Sequence, residues 1–160
     1  MTVVQYNRLS AGFTNRSGRI LLKWSNLICA GLFYLCYPVA LAILWVRQDV
    51  RLTKVILIPA ISFVILSGFR KWFNRPRPYE DFGIPPLLKK ESKGASFPSR
   101  HVFSAFMIAA TLGTLTPWCY LLYVPAILLA LIRVIGGVHY PLDVIVGARF
   151  AVICSLFFLI

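Results

Sequence analysis

The sequence predicts an all-α protein, a multi-pass transmembrane helical bundle of about five spans with its polar chemistry gathered at one membrane face. Three observations predict it. First, 59% of the 160 residues are hydrophobic and the mean hydropathy is +0.76, against about 45–50% apolar residues in soluble domains. Second, the apolar residues fall into five runs, several near the roughly 20 residues that a helix needs to cross a bilayer. Third, most charged residues lie between the runs rather than within them.

The first 24 residues are basic and hold neither an apolar core nor a small-residue cleavage site, so a surface segment is expected there rather than a secretory signal. Residues 25–160 then form a single transmembrane domain. The first span is expected over Leu27 to Val46 and the second over Thr53 to Phe69. Pro38 and Pro59 lie inside them and are tolerable where neighbouring groups satisfy the freed carbonyls. Val102 to Leu115 and Trp118 to Ile132 are separated only by Thr116 and Pro117 and read as a helical hairpin. The fifth run extends from Val144 to Ile160 and contains Arg149. The cysteines (Cys29, Cys36, Cys119, Cys154) lie in apolar runs without paired CxxC spacing, so they read as small packing residues.

Counting spans places residues 70–101 and 133–143 on one face, whichever way the chain is inserted. His101 and His139, the two histidines of the chain, both belong to that face. Asp143 stands at the mouth of an apolar run, four residues after His139. On a helix that spacing puts both side chains on one face, so a carboxylate can accept from an imidazole N–H. The bland alternative is a structural hydrogen bond that closes a loop. Arg70, Arg75, Arg77, Arg100 and Arg133 lie in the same segments, and the guanidinium fork suits phosphate oxygens. Lys71, Arg75, Lys89, Lys90 and Lys93 read as ordinary interface anchors. Gly136 and Gly137, between Arg133 and His139, suggest backbone passing close to an anion.

Three stretches resemble the signature of the type 2 phosphatidic acid phosphatase superfamily. "RKWFNRPRP" supplies Arg70 and, six residues further on, Arg77-Pro78, with Arg where the family has Lys. "PSRH" supplies Pro98-Ser99-Arg100-His101, with Arg100 in place of Gly. "IRVIGGVHYPLD" supplies Arg133, His139 and Asp143 at the family spacing, with Ile132 where Ser is usual. Either Arg70 or adjacent Lys71 fills the first-motif role.

The resemblance implies a small bacterial membrane lipid phosphatase. His139 is then the nucleophile that becomes phosphohistidine, Asp143 holds its ring, and His101 is general acid and then base. Arg70, Arg77 and Arg133, with backbone N–H groups near Ser99 and Arg100, bind the phosphoryl oxygens. Substrates equally compatible are phosphatidate, phosphatidylglycerophosphate and undecaprenyl diphosphate. No metal or other cofactor is implied. The rival reading is a non-catalytic anion transporter or phospholipid-binding protein using the same basic pocket. Nucleic acid is not an expected partner, since the basic residues are divided among membrane-edge loops. Oligomeric state is left open.

Orientation draws two opposed expectations. Of the 17 Lys and Arg residues, only Arg47, Arg51 and Lys54 fall on the face opposite the site, with Arg149 inside a span, and the positive-inside rule then puts the site in the cytoplasm. The family commonly has six spans and its bacterial members face outward across the cell membrane, which is the orientation adopted here.

Overall fold

A computed structural model describes residues 1–89 and 93–158; Lys90, Glu91 and Ile160 lie outside the described residues. The described residues form helices and turns without strands. The helices are α1 (Val3–Ser10), α2 (Arg16–Val46), α3 (Leu52–Phe73), α4 (Pro78–Asp81), α5 (Arg100–Leu115), α6 (Tyr123–Ile135) and α7 (Pro141–Ser155). Four stretches are long and apolar enough to cross a membrane: Arg16–Val46, Leu52–Asp81, Pro117–Ile135 and Pro141–Phe158. The fifth expected span, α5, has 16 residues. At 1.5 Å per residue it covers about 24 Å, short of the roughly 30 Å of hydrocarbon, so at least one of its ends lies below headgroup level.

α2 starts well before the apolar run at Leu27. Asn15, extended at the N-cap, accepts from the Gly18 N–H at 2.7 Å, and this cap rather than hydropathy sets where the helix begins. α1 has its own capping box between Thr2 and Gln5.

A proline lies inside each of α2 and α3. Pro59 has no N–H for the carbonyl four residues earlier, Val55. The Tyr37 hydroxyl of α2 donates to that carbonyl at 2.8 Å, so one helix repairs the ladder of the next.

α5 is the centre of the bundle, packing most extensively on α7 and also on α6, α3 and α2. Small residues permit this: Ala105, Ala109 and Ala126 are buried in the core with Phe33 and Leu129, and close approach of backbones is how apolar helices gain contact without a hydrophobic driving force. Gly147 on α7 is a point of close backbone approach. A Cβ there would lie 2.7 Å from the Ser99 carbonyl oxygen. The expected hairpin between α5 and α6 is present, made by a 3-10 turn over Pro117–Leu122, and Tyr120 covers Gly113 so closely that a Cβ would collide with its ring.

Outward-facing positions such as Tyr34, Val64, Val124 and Ile153 are exposed and apolar, the surface that lipid covers. α1 folds over the end of α6, with Tyr6 against Gly137.

Candidate active site

Chain direction alone brings four elements to one end of the bundle: the end of α3, the start of α5, the end of α6 and the start of α7. The Ser99 N–H, at the N-cap of α5, donates to the Asp143 carbonyl at 2.9 Å, which stitches the starts of α5 and α7 together. His101 follows two residues later and His139 lies just before α7, so both imidazoles occupy this end.

Each buried charged side chain among the described residues belongs to this cluster. Arg77 and Asp143 are 0% exposed, His139 1%, Arg70 3% and Arg133 4%. Arg70, Arg77 and Arg133 are within electrostatic reach of one another. Arg70 donates to the carbonyls of Ser96 and Pro98, whereas Lys71 is exposed. Arg77 is fixed by bonds to the Gly94 and Val138 carbonyls, both 3.2 Å. Glu80 holds the backbone around it, accepting from the Arg77 N–H at 2.8 Å and from the Gly94 N–H at 3.1 Å.

His139 and Asp143 do pair, but not as two side chains on one helical face. Pro141 at the first helical position starts α7 after His139, with Tyr140 extended at the N-cap. His139 is therefore a loop residue and Asp143 sits in the first helical turn. The carboxylate is shared. Its Oδ2 accepts from Ser96 Oγ at 2.5 Å and from the Tyr140 N–H at 2.9 Å, with His139 Nδ1 at 3.5 Å. Its Oδ1 takes Arg75 Nη1 at 3.2 Å. Nδ1 also lies 3.4 Å from Ser96 Oγ, whose own proton is directed to Asp143. Both neighbours of Nδ1 are then acceptors, so Nδ1 carries the ring proton and Nε2 keeps its lone pair. Nε2 makes no hydrogen bond among the described residues, and neither does Ser99 Oγ. Burial holds His139 far below the ordinary imidazole value, to about 3; the Asp143 hydrogen bond opposes this, while Arg133 and Arg77 add to it. The ring is a neutral base at physiological pH.

His101 is half-buried and, with exposed Arg100, lines a cavity of about 420 Å³ whose walls include Phe33, Phe63 and Leu129. Phe63, Ser104 and Ile108 also border a second apolar cavity of about 390 Å³ reaching Pro59 and Met107. The two cavities share these wall residues and lie along α2, α3 and α5.

Two readings of the sequence need amending. Arg75 is no simple interface anchor: besides its ion pair, its guanidinium lies 4.4 Å from the centroid of the Tyr140 ring. Gly136 and Gly137, read as room for an anion, are also places where packing leaves no space for a side chain. A Cβ on Gly136 would lie 2.5 Å from Leu88, and Gly137 has φ +74° with the Tyr6 hydroxyl 2.5 Å from where its Cβ would be. Lys71, Lys89 and Lys93 are exposed, as anchors should be. Ser96 and Glu80 were not anticipated. The Arg75-Pro76-Arg77-Pro78 alternation did carry a signal, because residues before proline are extended and alternate residues of an extended chain share a side. Among the described residues, no group of three or more His, Cys, Asp or Glu is placed to hold a metal ion.

The chain is similar to several known proteins. The chain is 29% identical over 133 residues to the bacitracin transport permease protein BcrC of Bacillus licheniformis, covering 78% of this chain and 64% of that protein. It is 29% identical over 117 residues to an undecaprenyl-diphosphatase of Sulfolobus acidocaldarius, covering 71% and 57%. It thus spans less than two thirds of each of these curated relatives. Among solved structures, LpxE of Aquifex aeolicus superposes with a TM-score of 0.74 at 26% identity, over 98% of this chain and 93% of that one. The transmembrane PAP2-type phosphatidylglycerolphosphate phosphatase of Bacillus subtilis gives 0.67 at 24%, over 99% and 85%, a likeness of fold. Its helices and its relatives make this a membrane protein, and with the PAP2 superfamily model matching residues 51–160, the chain belongs to the PAP2 superfamily.

Proposed function

We propose that the protein is a lipid phosphate phosphatase that removes the terminal phosphate of a membrane lipid phosphate or diphosphate through a phosphohistidine intermediate. The observation that carries this reading is the burial of Arg70, Arg77 and Arg133 together, with Asp143 as the one buried carboxylate among the described residues and half of it engaged by Arg75. Clustered buried cations disfavour one another, and a phosphoryl dianion relieves that repulsion.

His139 Nε2 attacks phosphorus in line as the bond to the lipid oxygen breaks, and His101 gives its proton to that oxygen. Asp143 stabilises the positive ring through Nδ1–H. The arginines and the N-terminal N–H groups of α5 hold the equatorial oxygens as charge develops. His101 then takes a proton from water, which displaces the imidazole and releases inorganic phosphate. In this scheme the guanidinium groups supply the charge stabilisation and no metal is required. The apolar walls of the cavity at His101, Phe33, Phe63 and Leu129 among them, accommodate the lipid tail.

Phosphatidate, phosphatidylglycerophosphate and undecaprenyl diphosphate remain the substrate candidates, and the names of the relatives span the last two classes. The reading places the site at the outer face of the cell membrane. Phosphate release from those three lipids in detergent micelles containing EDTA tests the chemistry. Release from at least one of them, lost in His139→Ala, is expected; no release from any, or strict dependence on added magnesium, contradicts it. Labelling of a cysteine introduced at exposed Lys93 by an impermeant thiol reagent in intact cells tests the orientation.

A further inference from the structure

We infer that the end of the bundle opposite the candidate site binds one anionic phospholipid of that leaflet, its acyl chain lying along α2 and its phosphate on Arg47. A cavity of about 740 Å³ is here, its lining free of both histidines. One wall is a stripe on α2: Leu32, Cys36, Val39, Ile43 and Arg47, spaced by three or four residues so that they share a helical face. The other wall is the hairpin, with Leu115, Trp118, Leu122 and Pro125. The groove exists because α5 is short and its chain turns back through a 3-10 segment instead of filling the space beside α2.

The shape fits one chain of one leaflet. From Leu32 to Arg47 the stripe rises about 22 Å, somewhat more than the roughly 15 Å half-thickness of the hydrocarbon layer, so it runs from the bilayer interior to the headgroup level. Its walls are apolar until that level is reached.

Charge at the mouth then selects the headgroup. Three charged residues border it: Arg47, Asp49 and Arg51. Asp49 is already committed. Arg51 Nε lies 3.0 and 3.1 Å from its two oxygens and Nη2 lies 2.7 Å from Oδ2, and the Arg51 N–H adds a fourth bond at 2.9 Å. These hydrogen bonds hold Asp49 ionised, down to about 2. No free carboxylate opposes an incoming anion. No side-chain hydrogen bond or ion pair holds the Arg47 guanidinium among the described residues, its bonds being those of its backbone N–H, and with Asp49 bound by Arg51 the three charges leave the mouth one net positive charge where a lipid phosphate would lie. Trp118, 80% exposed at the rim, is the kind of side chain that settles among headgroups.

This inference does not depend on the phosphatase reading. The test uses the full chain in nanodiscs of equal phosphatidylglycerol and phosphatidylethanolamine, with orthovanadate added to occupy the phosphoryl site, and counts retained lipids by native mass spectrometry. The wild type should retain one phosphatidylglycerol in preference to phosphatidylethanolamine. Arg47→Gln should lower that preference about fivefold, the effect of one basic side chain near the membrane surface. Ala40→Phe, which fills the groove, should abolish retention of either lipid. Equal retention of both lipids by the wild type, lipid that leaves when vanadate is added, or an unchanged preference in Arg47→Gln would overturn the inference.

Discussion

Arg75 and Asp143 form an ion pair of 3.2 Å on the side of the carboxylate away from the oxygen nearest His139. Arg75 is thereby set to act through Asp143, fixing the carboxylate that orients the imidazole. Arg75→Gln is expected to lower kcat about tenfold, roughly 1.4 kcal/mol of transition-state stabilisation, with KM within about twofold. Arg75→Lys should recover part of the loss. A rise in KM at unchanged kcat would identify Arg75 as a phosphate contact instead.

Ser96 supplies the shortest of the bonds to Asp143 that involve a side-chain hydroxyl, 2.5 Å. Ser96→Ala should leave a carboxylate oxygen less satisfied in a buried setting, which costs about 1–3 kcal/mol. Thermal unfolding in detergent measures the stability part, and a fall in kcat without change in KM reports the positioning part.

Tyr37 and Val55 make a separate and purely structural prediction. Tyr37→Phe removes the hydroxyl that satisfies the carbonyl freed by Pro59, with an expected cost of about 1–2 kcal/mol. Phosphate release per folded molecule should not change. The double variant Tyr37→Phe with Pro59→Ala, which restores the backbone N–H, should regain most of the loss.

His139 predicts a pH dependence of stability. Its folded value is about 3, against about 6.5 in the unfolded chain. Between those values the unfolded state binds a proton that the folded state does not, so this contribution is complete above about 6.5 and is lost as pH falls. From pH 6.5 to pH 5 the free protein should lose about 2 kcal/mol on this account. In His139→Asn that slope should be absent, and an unchanged slope would show that the imidazole is not held neutral by burial.

Much of the fold could be read directly, because hydropathy and helix length are local properties. The spans over 27–46 and 53–69, the hairpin at Thr116-Pro117 and the return of residues 133–143 to the face of residues 70–101 follow from them. Helix starts were less legible: Asn15 begins α2 through a side-chain cap, which apolar periodicity does not register. At the candidate site, Arg70, Arg77, Ser99, Arg133, His139 and Asp143 are buried, and His101 and Arg100 line a cavity. What spacing could not give was the partner of each group. The His139–Asp143 interval fits a helix, yet Pro141 moves the histidine into the loop. Arg75 looks like any basic residue beside a membrane until the extended Pro-punctuated chain carries it to Asp143. The packing at Gly136 and Gly137 was not legible either, because their contacts, Leu88 and Tyr6, come from far away in the chain.

The most direct test of the central claim is to trap the reaction after a brief exposure to a lipid carrying a radiolabelled terminal phosphate. The account predicts acid-labile, alkali-stable label on His139, absent from His139→Ala. Phosphate release by His139→Ala near the wild-type rate, or label on any other residue, would contradict it.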